Sequence, residues 1–128
     1  MKYLLDTHVF LWIADAPEKL SRKASEIIRN PDNQIFLSIA TPWELAIKSK
    51  NGKLDAAGLL RDLEAGVFEG DLEILPASVS QVIRAGSLPL HHRDPFDRLL
   101  IAQALDQRMP ILSKDRLLDR YGVQRIWG

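Results

Sequence analysis

Short apolar runs alternate with helix-length segments along nearly the whole chain, and this alternation limits the fold more than any other feature of the sequence. Lys2–Leu5 reads as a strand ending at Asp6, and His8–Ala14 as a helix, with Val9, Phe10, Trp12 and Ile13 at helical spacing. Leu20–Arg29 predicts a second helix with Ser21 as its N-cap. Gln34–Ser38 predicts a strand buried on both faces, because Ile35, Phe36 and Leu37 are consecutive and apolar. Helices are predicted over Pro42–Lys50, Ala56–Glu64, Val79–Ala85 and Pro95–Gln107, and strands over Leu72–Leu75, Pro110–Ser113 and Val123–Ile126. A short helical turn is expected around Arg116–Arg120. Strands joined through helices point to a mostly parallel sheet with helices on both faces. The two helices within residues 41–64 are expected to form a hairpin that projects from the sheet.

A chain of 128 residues fits one domain, spanning residues 1–128, and 46% hydrophobic residues supply its core. The absence of cysteine excludes thiol catalysis, zinc–thiolate centres and disulfides, and fits a cytoplasmic protein. No apolar run approaches the roughly 20 residues of a membrane span. Seventeen basic residues balance seventeen acidic ones, so net charge does not support non-specific binding to nucleic acid.

Open parallel sheets collect ligands at the carboxyl ends of their strands, and acids cluster at those positions here. Asp6 ends the first strand, and Asp115 follows the strand Ile111-Leu112-Ser113 closely. Glu44 and Asp97 fall in the first turns of helices. Four carboxylates on one rim repel each other, and a divalent cation among them reverses the cost. Hard oxygen donors select Mg²⁺ or Mn²⁺.

Each acid also has a local role. Asp6 can cap the helix after it, and Asp115 can hold a turn. Thr41-Pro42-Trp43-Glu44 fits a capping box, and Asp94-Pro95-Phe96-Asp97 repeats that pattern, so local sequence favours capping for Glu44 and Asp97. His91 and His92 diverge as neighbours and read as loop residues; His8 reads as a helix-start residue. Trp12 and Trp43 are expected in the core or at a partner contact, and Trp127 as terminal packing. Lys48, Lys50, Lys53, Arg93, Arg98, Lys114 and Arg116 lie near the rim, where a subset can meet phosphates.

Four segments together resemble the PIN-domain nucleases, specifically the VapC-type toxins of toxin–antitoxin pairs. They are Tyr3–His8, Ser38–Lys48, His92–Ala104 and Ser113–Asp115, and the likeness runs across nearly the whole chain. The resemblance implies a three-layer α/β/α sandwich around a mostly parallel sheet. It assigns Asp6, Glu44, Asp97 and Asp115 as the catalytic, metal-binding quartet for Mg²⁺ or Mn²⁺, with Thr7 and Ser113 as supporting hydroxyls and Asp94 as helix cap beside them. It further implies an endoribonuclease hydrolysing RNA phosphodiester bonds, a VapB-like antitoxin partner and a homodimer. Asp55–Gly70 is the least typical stretch. Alternatives remain in a non-catalytic RNA- or protein-binding module and in another Mg²⁺-dependent phosphotransfer domain. A phosphoryl-accepting receiver needs an adjacent acidic pair after its first strand, which Asp6-Thr7-His8 lacks.

Overall fold

The computed structural model describes all residues, Met1–Gly128. Five strands form one sheet in the order β3-β2-β1-β4-β5, and every pairing is parallel. The strands are β1 (Lys2–Leu5), β2 (Gln34–Ser38), β3 (Glu73–Leu75), β4 (Ile111–Leu112) and β5 (Arg125–Ile126). Between them run α1 (Thr7–Asp15), α2 (Arg22–Arg29), α3 (Ala40–Lys50), α4 (Ala57–Glu64), α5 (Val79–Ser87) and α6 (Pro95–Gln107). Short 3₁₀ turns occupy Pro17–Lys19 and Arg116–Tyr121.

Strand periodicity distributes the apolar runs to two cores. Tyr3, Leu5, Ile35, Leu37 and Leu112 meet Val9 and Phe10 of α1 and Leu45 of α3 on one face. Leu4, Phe36, Leu75 and Ile111 meet Leu100, Ile101 and Ala104 of α6 on the other. Both strand faces are therefore covered, which is why β1 and β2 read as unbroken apolar runs rather than alternating ones. Each fully buried Leu, Ile or Phe contributes about 1.5–3 kcal/mol by leaving water. Register places Leu5 beside Leu112, so the carboxyl ends of the two central strands lie level. Edge strands β3 and β5 are only three and two residues long, which limits pairing with other chains. No helix is long and apolar enough to cross a membrane.

The predicted element order holds, and three local expectations change. The segment α3–α4 does not project: Ala56 is buried, and Leu54, Leu59, Leu60 and Leu63 pack against the first core. An amphipathic α4 packs beside α3 and lays its leucines on that core, so the segment covers the sheet's face. Helix α5 runs through Gly86 to Ser87, held at its start by a capping box between Ser78 and Gln81. Thr41 is no N-cap either. Helix α3 starts two residues earlier than its Thr-Pro-x-Glu pattern suggests, with the Ser38 hydroxyl accepting from the Ala40 N–H at 3.1 Å.

Candidate active site

Two junctions after strands build the rim. At the end of β1, Asp6 caps α1 with one oxygen, accepting the His8 N–H at 3.2 Å. Its other oxygen accepts the Ser113 hydroxyl at 2.5 Å. Ser113 follows β4, and its oxygen in turn accepts the Asp115 N–H at 3.0 Å. One buried hydroxyl thus locks the ends of β1 and β4 together. Burial pushes the Asp6 carboxyl up, but hydrogen bonding from His8 and from Ser113 outweighs it and leaves the group below its ordinary value.

Glu44 is 2% exposed, and its side chain does not cap α3. One oxygen accepts the Thr7 hydroxyl at 2.9 Å; the other takes Lys48 Nζ at 2.5 Å. Thr7 has a single hydroxyl proton and gives it to Glu44, so in the 3.2 Å contact between Thr7 and Thr41 the donor is Thr41. The hydrogen bond to Glu44 raises the Lys48 ammonium above its ordinary value. A buried carboxylate one helical turn before a lysine is thereby compensated within α3.

Asp97 rides on the first turn of α6, which Asp94 starts: one Asp94 oxygen accepts the N–H groups of Phe96 at 2.8 Å and Asp97 at 3.3 Å. Because Asp94 does the capping, the Asp97 carboxyl is free to face inward. There it meets His92, whose Nε2 lies 2.9 Å from Asp97 Oδ2 and 3.2 Å from Asp115 Oδ2. The Asp94 N–H donates to His92 Nδ1 at 3.3 Å, so a neutral His92 carries its proton on Nε2 and directs it at both acids. The loop holding His92 is fixed by Tyr121, whose hydroxyl accepts the His92 N–H at 2.7 Å and donates to the Pro89 carbonyl at 2.5 Å. Asp115 caps the 3₁₀ turn through its other oxygen, accepting the Leu117 N–H at 3.0 Å.

The electrostatics converge on Asp97. Burial, then the charges of Asp6, Asp94, Glu44 and Asp115, raise its carboxyl to about 8. All four acids picked out from the sequence therefore share one field, and Asp94 adds a fifth. His92, Asp97 and Asp115 each offer a ligand atom within 4.8 Å of the others, a donor set that could hold a metal ion. The carboxylate oxygens of this group fit a divalent cation, since the surplus charge is anionic and no thiol competes, while the His92 Nε2–H serves as their hydrogen-bond donor.

The profile of the PIN domain family matches residues 3–124. The chain belongs to the PIN-domain family. Among its relatives, Ribonuclease VapC22 of Mycobacterium tuberculosis is 31% identical over 120 residues, covering 90% of this chain and 88% of the relative. In VapBC2 from Rickettsia felis, bound to a DNA fragment from their promoter, a chain superposes with a TM-score of 0.71 at 16% identity, covering 100% of both chains. VapBC-1 from nontypeable Haemophilus influenzae gives 0.68 at 18% identity, covering 98% of this chain and 97% of the other. At those identities the likeness is one of fold.

In this PIN domain the dual character of the acids is explicit. Asp6 and Asp115 cap helical turns with one oxygen and face the rim with the other. His92 is the rim residue that reading the sequence undervalued, while His91 turns away to pack edge-on against Tyr121. Trp43 is not core: it is 62% exposed and leans edge-on against Phe96. His8 is exposed at the start of α1, and its ring is raised above the ordinary value mainly by Asp6. Of the basic residues near the rim, Lys48 is paired with Glu44, whereas Lys50, Lys53, Arg93, Lys114 and Arg116 are exposed.

Proposed function

We propose that this VapC-type PIN domain is a metal-dependent endoribonuclease and the toxin of a toxin–antitoxin pair, with Asp6, Glu44, Asp97 and Asp115 as its site residues. The observation that carries the reading is the convergence of Asp6, Glu44, Asp94 and Asp115 around Asp97, where burial first and then their charges raise the Asp97 carboxyl to about 8. The name of the M. tuberculosis relative, a ribonuclease, and the VapBC setting of both structural neighbours support the choice of reaction and of a VapB-like antitoxin as partner. Homodimerisation and action on cytoplasmic RNA complete the proposal.

Asp6, Asp97 and Asp115 would present oxygens to the ion, with Glu44 adding charge behind them. A bound Mg²⁺ or Mn²⁺ supplies a water of lowered pKa and neutralises charge growing on the scissile phosphate. Ser113 aligns Asp6, and the His92 Nε2–H aligns Asp97 and Asp115. Asp115 is the better proton acceptor for the attacking water. Its side chain is 41% exposed, whereas Glu44 is 2% exposed and held by Thr7 and Lys48.

The purified protein, incubated with total RNA and Mn²⁺, is expected to produce discrete internal cuts detectable by 5′-end mapping, and chelation with EDTA to prevent them. Intact RNA under both conditions would sink the proposal. Ser113→Ala leaves the carboxylates in place but unlocks Asp6. It should weaken Mn²⁺ binding about 10-fold, as removal of a ligand's hydrogen-bond partner does. Calorimetric titration reads this directly, and unchanged affinity would mean that Ser113 serves folding alone.

A further inference from the structure

Beside the acidic centre, on the side away from α3, lies a cleft of about 290 Å³. Asp6 and Asp115 form its inner wall, His8 and Trp12 line it from α1, and Lys114 completes it. His8 and Trp12 are four residues apart on one helix and so share a face, with ring centroids 6.2 Å apart. The indole is only partly buried. Its contact with Trp127, centroids 5.6 Å apart, explains how it is anchored but not why the rest of the ring is left open toward the acids.

We infer that this cleft is a nucleobase subsite: Trp12, backed by Trp127, stacks the base of a nucleotide adjoining the scissile phosphate. The inference rests on the nuclease reading above and adds where the substrate is gripped. The walls choose among ligand classes. Asp6 and Asp115, committed to the ion, would hold the scissile phosphate at the cleft's edge, which leaves the space beside Trp12 to the adjoining base, its π-face toward the indole and a polar edge toward Lys114. Continuity with Asp6 and Asp115 puts the base one nucleotide or so from the site of cleavage. A second cleft, on the far side of His8, is lined by Thr7, Glu44 and Lys53 among others. His8 therefore borders two openings, one lined by Asp6 and Asp115 and the other by Glu44. Stacking of this kind tolerates every base but needs an unpaired one, so the subsite selects single-stranded segments over duplex.

The test uses a synthetic oligoribonucleotide spanning a cleavage position mapped with the wild-type protein, together with versions carrying an abasic unit at each position in turn. With wild-type protein, one abasic position within two nucleotides of the cut should slow cleavage about tenfold or more. Trp12→Leu, which keeps apolar bulk against Trp127, should slow cleavage of the unmodified RNA to a similar degree and remove the dependence on that base. Trp12→Phe should restore most of the rate. A flat abasic scan, or wild-type turnover by Trp12→Leu, overturns the inference while leaving the nuclease reading intact. A flat scan with antitoxin affinity lost in Trp12→Leu would instead give the cleft to the protein partner. If the wild-type protein cuts no RNA, the nuclease reading fails and this inference with it.

Discussion

Replacing Asp97 with asparagine is expected to slow RNA cleavage by about a thousandfold or more while leaving the fold unchanged. The isosteric amide keeps the packing but removes the charge at the focus of the acidic field. Losing several kcal/mol of charge stabilisation in the transition state corresponds to about a thousandfold in rate. Asp97 is a cleaner test than Asp6, since the Asp6 side chain also caps α1 and receives Ser113 from across the sheet. The cap of α6 comes from Asp94 and is untouched by the change. Single-turnover cleavage at saturating Mn²⁺ measures the loss, and circular dichroism checks the fold. Turnover within tenfold of wild type would remove Asp97 from the chemistry.

The same substitution should stabilise the metal-free protein, in a manner that depends on pH. The Asp97 carboxyl is raised from 3.8 to about 8 in the folded chain. Between those values the folded state binds a proton that the unfolded state has released, so stability falls as pH rises. The contribution is fully present below about pH 4 and is gone once pH passes through 8. Its size is on the order of a few kcal/mol, or about 10 °C in Tm for a domain of this length. Asp6, lowered by its hydrogen bonds, works the other way: its contribution is present above its unfolded value and is lost as acid protonates it in the folded chain. Calorimetric melting in EDTA from pH 5 to 8.5 should therefore give a downward trend for wild type and a flatter one for Asp97→Asn. Mn²⁺ at saturating concentration should raise wild-type Tm most at the alkaline end, because binding only the folded state shifts the equilibrium toward it. Equal slopes for the two proteins would remove the repulsion from the account.

Much of this was legible along the chain, for physical reasons that differ from residue to residue. The strand Gln34–Ser38 and the helix Pro95–Gln107 matched their predicted limits, since a doubly covered strand must be continuously apolar and Asp94-Pro95 is a strong start signal. Glu44 was harder to read locally. Its capping-box pattern is genuine as a pattern, yet Ser38, buried at the end of β2, turns the chain into α3 before Thr41 can act. Burial decides the outcome, and burial depends on Thr7 and Thr41 meeting across 34 residues. His92 was least visible. Its place is set by Tyr121, 29 residues on, and by a backbone N–H that no side-chain pattern encodes. Likewise the hairpin over residues 41–64 does not project, because its leucines pack on a core assembled from residues as distant as Tyr3 and Leu112.

The hydrogen bond from Ser113 to Asp6 joins residues 107 positions apart. During synthesis the first half of the acidic centre emerges from the ribosome long before its complement does. Contacts of such long range form late. Until Ser113 and Asp115 are extruded and β4 has docked beside β1, the pocket has no second wall. The acidic centre is thus incomplete in a nascent chain and closes only once the carboxyl-terminal segment has been released and docked.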